Sequence, residues 1–519
     1  MKCTPNHSVL ELNQYSRDAS IFEVLPKGVF APKNIGDLSD IINDATTQTK
    51  AGTYTSVTPR NGGTCMSGGS LTEGYVIDMS NFNKITDLAP ESVWVEGGVM
   101  HADVEDATHP HGVYFAPYTS SHRICGVGGM LGNNASGEKS VRYGPTSKNV
   151  ERVHVLLSNG ETYEFGPLTP GQLEEKKSLQ TFEGHLYREI CGIVDKHGDV
   201  LANHPNVRKN AAGYALWELW NKEHTEFNLG RLFIGAQGTL GVITRAKLKL
   251  IPIAPASRTI LLSINTLNDL TPVVQTILRY APDTCETFDR HTYERAKLYF
   301  PEDAKRAYLA EGKHLIVFAK YERDSQVEAD IWAGQAKEAL EEMGYPVHWL
   351  EDPAEVESYL VIRRQSFKML LDHPDPNTRA MPYLEDTIVP IRHYGEFLAA
   401  TEAILSEYDM TYTYAGHIGD GSIRLIPLVN MEQPGAAERV LESAQRIYDL
   451  VFAFGGSISV DHNDGLIRTP FLARMYGEAL EGLFQQVKIL FDPLNIFNPG
   501  KKVNGNRAYS LAHIIRGNT

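Results

Sequence analysis

The chain has 519 residues, 42% hydrophobic and 22% charged, with a formal net charge of −15. That length can bury a large core and divides into two or three domains, and charges spread without long blocks exclude intrinsic disorder. The acidic balance argues against nucleic acid and against electrostatic attachment to anionic lipid, both of which need a basic surface. The opening MKCTPNHSVLELNQYSRDAS has no apolar run, and no later stretch reaches the ~20 apolar residues that span a bilayer. A cytoplasmic protein without a transmembrane segment, at most peripheral to a membrane, is expected. The five cysteines, Cys3, Cys65, Cys125, Cys191 and Cys285, are odd in number and widely spaced without a CxxC pair, which predicts reduced thiols and no structural zinc or iron–sulfur cluster on this chain.

In chain order, residues 20–56 read as a short strand followed by an amphipathic helix carrying Leu38, Ile41 and Ile42. PRNGGTCMSGGS, Pro59 to Ser70, comes next and runs into a strand-like stretch with Val76 and Ile77. The cluster lacks the lysine, Ser/Thr and following helix of a Walker P-loop. No G-x-G-x-x-G opens a helix and no βαβ unit is read around it, so the dinucleotide fingerprint fails as well. From about 74 to 166 short apolar runs alternate with glycine-rich segments and turns, giving a strand-rich half. A charged, helix-prone stretch follows and leads to RLFIGAQGTLGVITRAKLKLIP, in which Ala246, Leu248 and Leu250 alternate with Lys247 and Lys249 as in a half-buried strand closed by Pro252 and Pro255. A boundary is placed near residue 253. Beyond it, strand then helix occurs twice, predicting an α+β layer whose antiparallel sheet is covered by helices on one face. Residues 436–454 and 470–490 read as further amphipathic helices, and the tail after Lys501 as a loosely ordered end. The expected domains are 20–253 and 254–501, with a tail over 502–519.

Three segments lack side-chain bulk where backbone must approach a large ligand: Pro59 to Gly69, Gly126 to Gly137 (GVGGMLGNNASG) and Ile234 to Thr244 (IGAQGTLGVIT). Glycine allows close approach and positive φ, so successive N–H groups can point at one anion. With VEGGV, VRYGPTSKNVERVHVLLSNGE, YLEDTIVP, GHIGDGS, GGSISVDHNDG and DPLNIFNPGK, these segments resemble the vanillyl-alcohol-oxidase (PCMH-type) FAD-linked oxidases, in particular the D-lactate dehydrogenase, glycolate oxidase and D-2-hydroxyglutarate dehydrogenase branch. The resemblance runs from about Tyr15 to Lys501. It implies a two-subdomain FAD-binding domain followed by an α+β substrate domain. Arg60, Asn61, Gly62, Gly63 and Thr64 would line the pyrophosphate, with Ser67 and Gly68 nearby. Pro117, Ser121, Gly128, Gly129, Asn134, Ser136 and Gly137 would contact flavin or ribityl groups, and Gly238, Gly241 and Ile243 would add backbone contacts. Cys65 reads as a buried, inert thiol. Gln237 replaces the relatives' glutamate with little expected loss of FAD binding. Covalent flavin attachment through Cys125 or His122 is conceivable, and non-covalent FAD is favoured because SSHRICGVGG carries no attachment motif.

Oxidising a 2-hydroxy acid through a flavin needs a base for the hydroxyl proton, and histidine titrates in the right range. The resemblance puts His462 at the base of the family's EHG motif; the competing reading of DHNDG is a solvated turn. In 2-hydroxyglutarate-type members two histidines of GHxGDGNxH and the glutamate of EHG hold a divalent ion. Here GHIGDGSIR keeps His417, but Ser422 and Arg424 replace the asparagine and the second histidine, and Asp461 is shorter than glutamate. A guanidinium cannot ligate a cation, which leaves the metal in question. Arg424 either pairs with the substrate carboxylate or developing alkoxide in the metal's place, or is a structural partner of Asp420 or Asp461. In YLVIRRQSFKML, Arg364 aligns with a family arginine that grips the substrate carboxylate; Arg364 and Lys368 are placed one turn apart on one helix face, where the alternative is a solvated basic face.

The implied activity is oxidation of a D-2-hydroxy acid of lactate, glycolate or 2-hydroxyglutarate type to the 2-oxo acid. Electrons would pass to a quinone, a cytochrome, an electron-transfer flavoprotein or a separate iron–sulfur subunit. The alternatives are a non-redox transferase of the alkyl-glycerone-phosphate-synthase type and a catalytically silent FAD-binding subunit. Substrate selectivity is assigned to loops around 280–300 and 360–385.

Overall fold

The computed structural model describes residues 3–516 except 308, 310, 311, 313, 372–376 and 409; the 360–385 selectivity loop therefore lies partly outside the described residues. The first layer is a three-stranded parallel sheet in which Tyr75–Asp78 lies between Gly28–Phe30 and Val57–Arg60. The helix Ile35–Lys50 crosses from one outer strand to the other, started by Asn34, whose side chain accepts from the Asp37 N–H at 2.9 Å. It buries Leu38, Ile41, Ile42 and Ala45, as the sequence predicts. This corrects one expectation, because strand, helix and strand here form a βαβ unit leading into the glycine cluster. The fingerprint still fails: the cluster follows the unit's second strand and joins it to the central strand without an intervening helix, so no helix N-terminus faces a phosphate there.

The second layer is an antiparallel sheet ordered Ile85–Ala89, Ser92–Glu96, Val242–Lys249, Val150–Leu156, Thr162–Phe165. Along Val242–Lys249 the side chains alternate between core and surface as expected, with Ala246 and Leu248 buried. The core beneath it contains Val93, Val153 and Leu186 together with Leu480, Phe484 and Phe491 from the helix Leu472–Phe491. The chain thus returns from its C-terminal half to complete the first. Burying each such Leu or Phe contributes about 1.5–3 kcal/mol.

The second half is built on an eight-stranded antiparallel sheet. Its order is Val347–Leu350, Ala256–Ile264, Leu315–Arg323, Thr284–Asp289, Thr411–Gly416 and Ser422–Asn430, the last pairing with both Thr378–Ala380 and Leu384–Ile388. Here the expected one-sided cover is corrected. Ile260, Leu262 and Val317 enter one apolar cluster with Val273, Ala333 and Leu340 of the helices Leu270–Leu278 and Gln326–Glu342. Leu261, Ile316 and Phe318 enter another with Tyr293 and Tyr359 of Arg290–Tyr299 and Pro353–Arg364. Both faces carry helices, as two apolar faces require.

The tail is likewise not loose. Asn506 caps the helix Arg507–His513, the Ser510 hydroxyl donates to the Leu466 carbonyl at 2.7 Å, and Ile514 is buried in a β-bridge with Phe22. All five cysteines are free, and all but Cys3 are buried. Among the described residues no helix is long and apolar enough to cross a membrane.

Candidate active site

The three glycine segments converge on one cleft between the halves. It is lined by Arg60, Asn61, Gly62, Gly63 and Thr64, by Ser121, Gly128, Gly129 and Ser136, by Gly238, Gly241 and Ile243, and across from them by Arg424, Asp461 and His462. The remaining carried-over positions stand behind this wall. Ser67 donates to the His462 carbonyl at 2.8 Å, and Gly68 packs on Phe22 and Leu466. Asn134, left-handed at φ 54°, ends the helix Val127–Asn133 and accepts from the Ser147 N–H. Pro117 is buried, and Gly137 lies against the Tyr118 backbone.

The glycines serve two purposes. A Cβ on Gly62 would lie 1.8 Å from the Ile124 carbonyl oxygen, so that glycine lets two cleft segments touch. A Cβ on Gly129 would meet only the Asn61 side chain, at 3.8 Å, so protein packing does not require that glycine. A bare backbone wall of this kind, with the Arg60 Nε buried beside it without a partner, fits a large anionic cofactor such as FAD. Arg60 itself is anchored by donating to the Tyr15 and Arg17 carbonyls at 2.8 and 2.5 Å.

Gln237 cross-links the segments around the cleft. Its Nε2 donates to Asn133 at 3.1 Å while its Oε1 accepts from the Gly465 N–H at 2.9 Å, and a carboxylate could only accept. Cys65 lies beside Ser67 at 3.0 Å, and burial raises its thiol pKa, in keeping with an inert side chain.

His462 sits on a turn whose backbone wraps a carboxylate: Asp386 accepts from the N–H groups of Val460, Asp461, His462 and Asn463 at 2.7–3.2 Å. DHNDG is therefore a turn, but a buried one. The His462 Nδ1–H donates to Glu385 at 3.1 Å, and Glu385 also accepts from the fully buried Arg468 at 2.6 Å. Burial alone would raise the Glu385 pKa, but Arg468 and His462 outweigh it and hold the carboxyl below its ordinary value. With Nδ1 engaged, Nε2 is the nitrogen left to face the cleft. YLEDTIVP was noticed as a motif, but nothing in its letters assigned Glu385 and Asp386 these parts.

Asp461 gathers the charge. One carboxylate oxygen accepts from Ser136 and from Lys209 at 3.2 Å; the other faces Arg424 at 3.4 Å and the His417 Nε2 at 3.7 Å. Burial pushes the Asp461 pKa up, yet Lys209 and, with it, Arg424 drive it well below the usual carboxylate range. His417 donates from Nδ1 to Glu286 at 2.7 Å, and its Nε2 accepts from Arg363 at 3.3 Å and Arg424 at 3.4 Å. Burial, then Arg363, Lys209 and Arg424, keep this imidazole neutral by lowering its pKa far below the ordinary value. Lys209, Glu286 and Arg363 were not singled out from the sequence. RKNAAGY offered no chemical signature, and the choice within Arg363–Arg364 depends on helix phase.

The end of that helix corrects one expectation. The helix Pro353–Arg364 stops at Arg364, and the exposed Lys368 begins a separate short helix, so the two do not share one helical face. Arg364 makes a two-pronged pair with Glu138 at 2.7 and 3.0 Å and lines a different cavity, whereas Arg363 is buried against His417.

Residues 26–166 match the family model described as an FAD binding domain, and residues 253–502 match the C-terminal domain of FAD linked oxidases. The chain belongs to the FAD-linked oxidases. It is 30% identical over 501 residues to a D-2-hydroxyglutarate dehydrogenase from Pseudomonas putida, covering 93% of this chain and 49% of that protein. It is 27% identical over 500 residues to the glycolate oxidase subunit GlcD of Bacillus subtilis, covering 94% and 91%. The chain spans about half the length of the D-2-hydroxyglutarate dehydrogenases it matches. Among solved structures, p-cresol methylhydroxylase with substrate bound superposes with a TM-score of 0.70 at 14% identity, covering 96% of this chain and 93% of that one, which supports a shared PCMH-type fold.

Proposed function

We propose that the protein oxidises a D-2-hydroxy acid to the 2-oxo acid, with FAD held non-covalently in the glycine-walled cleft. The observation that carries this reading is His462, anchored through Nδ1 by Glu385 and lining the same cleft as the glycine wall and Arg424. Bound FAD would supply the hydride acceptor. His462 Nε2 takes the hydroxyl proton as the C2–H electron pair leaves, so that the C–O bond becomes a carbonyl. Glu385 stabilises the imidazolium that results, and Arg424 pairs with the substrate carboxylate or the developing alkoxide. Its relatives named as D-2-hydroxyglutarate dehydrogenase and glycolate oxidase subunit support this acid class.

The donor set does not fit a divalent ion. The His417 lone pair already faces two guanidiniums, Asp461 is held by an ammonium and a guanidinium, and Arg424 cannot ligate. Among the described residues no group of three or more His, Cys, Asp and Glu side chains is placed to hold a metal. Arg424 therefore stands in for Lewis-acid assistance.

The test is anaerobic titration of the flavin absorbance with D-lactate, glycolate, D-2-hydroxyglutarate and related acids. Bleaching by at least one acid is expected, and an unchanged spectrum across the panel would refute the reading. On the same sample, elemental analysis should find far less than one divalent ion per chain; a stoichiometric ion would overturn the part given to Arg424.

A further inference from the structure

Four lysines are buried to within a few per cent: Lys209 (2% exposed), Lys488 (4%), Lys501 (3%) and Lys502 (0%). Three have a carboxylate counterion: Asp461 and Asp420 for Lys209, Asp492 for Lys488 at 2.6 Å, and Asp464 for Lys502 at 2.7 Å. Lys501 has no carboxylate within 4 Å among the described residues, and its one hydrogen bond there is to the Leu71 carbonyl at 2.5 Å. Removing an ammonium from water without a carboxylate in contact is costly: Asp18 and Glu73 act on it only from beyond salt-bridge range, and two of its three protons have no acceptor among the described residues.

Lys501 lines a cavity of about 390 Å³ beside the starts of the parallel-sheet strands, where Lys27, Ser56 and Tyr75 also line it. Lys27 stacks over the Tyr75 ring at 5.2 Å, while Ser56 and Thr72 add hydroxyls to the wall. Tyr54, Tyr75 and Tyr509 offer ring surface. Glu73, the one carboxylate in the lining, lies 3.5 Å from His513. A buried lysine with no carboxylate in contact, in an aromatic cavity of ligand size where Lys27 and Lys501 face the single carboxylate Glu73, is the complement of a small acid.

We propose that this cavity binds a small-molecule oxyanion, with its carboxylate or phosphate group on Lys501 and its body against the tyrosines. The site is separate from the catalytic cleft yet adjoins it: Leu71 and Thr72 follow directly on Gly69 and Ser70, which line that cleft. An occupant therefore bears on the cofactor loop from behind. Burial lowers the Lys501 pKa to about 8, a cost that a bound anion relieves.

Calorimetric titration of the flavin-loaded protein with inorganic phosphate and, separately, acetate tests this, the two arms separating phosphate from carboxylate chemistry. Saturable binding of one of them is expected, weakened about tenfold or more in Lys501→Met and by a smaller factor in Lys27→Gln. Crystals of the unaltered protein soaked in bromide report independently of any variant's folding, and an anomalous peak is expected at the Lys501 ammonium. Absence of saturable binding up to about 20 mM of either anion, binding untouched by both substitutions, or no halide at Lys501 would each overturn the proposal.

Discussion

The His462 imidazole is held from behind by Glu385 and is free in front, so the two nitrogens predict different losses. Replacing His462 with Asn removes the proton acceptor and should slow flavin reduction by about 10²–10⁴-fold while FAD remains bound, a split read by stopped-flow on flavin-replete protein. Two glycines, one from each of two cleft segments, separate packing from cofactor contact. Gly129→Ala should give a folded protein of nearly unchanged thermal midpoint but lower flavin content. Gly62→Ala, whose methyl meets the Ile124 carbonyl, should lower the thermal midpoint itself. At this scale the three glycine segments were legible together, through their order and the family resemblance, where one alone would read as a tight turn. The sequence hid Lys209, Glu286 and Glu385, ordinary charged letters whose meaning comes from the carboxylates and cations brought to them by folding. Between Arg363 and Arg364 the difference is about 100° of helix rotation, which no motif encodes.

The strand Val242–Lys249 was readable because one of its faces is wet, and the alternation of Ala246 and Leu248 with Lys247 and Lys249 states which. The eight-stranded sheet of the second half was harder: with both faces covered, a run such as Ile260–Leu261–Leu262 carries no alternation to show that the second face is also buried. The βαβ unit escaped for another reason, since its strands of three and four residues are too short to show a period. The helix Leu472–Phe491 has a clear apolar stripe, but amphipathicity names no partner. Its Phe484 packs edge-on with Tyr214 and Tyr476 in the core of the flavin half. Phe484→Ala should therefore cost about 3–5 kcal/mol in denaturant unfolding and weaken flavin retention, although the residue lies more than two hundred positions from the glycine segments.

Stability of the whole chain should depend on the carboxylates held below their ordinary pKa. The native Glu385 value lies below the unfolded value of about 4.3. Its contribution is thus present above that pH and is lost as pH falls toward the native value. Unfolding midpoints should drop below about pH 4–5. In Glu385→Gln, which leaves Arg468 without its closest counterion and should cost about 3–5 kcal/mol at neutral pH, the acid-dependent part of that loss should shrink. The pairing of Phe22 with Ile514 has a consequence for biosynthesis. The Glu23 N–H donates to the His513 carbonyl and the Ile515 N–H to that of Ile21, joining segments almost five hundred residues apart. On a ribosome, Phe22 must wait until synthesis has passed Ile514 before it can find its partner. Coenzyme capture should therefore be a late, post-translational event, and nascent chains arrested before residue 472 should emerge without yellow colour.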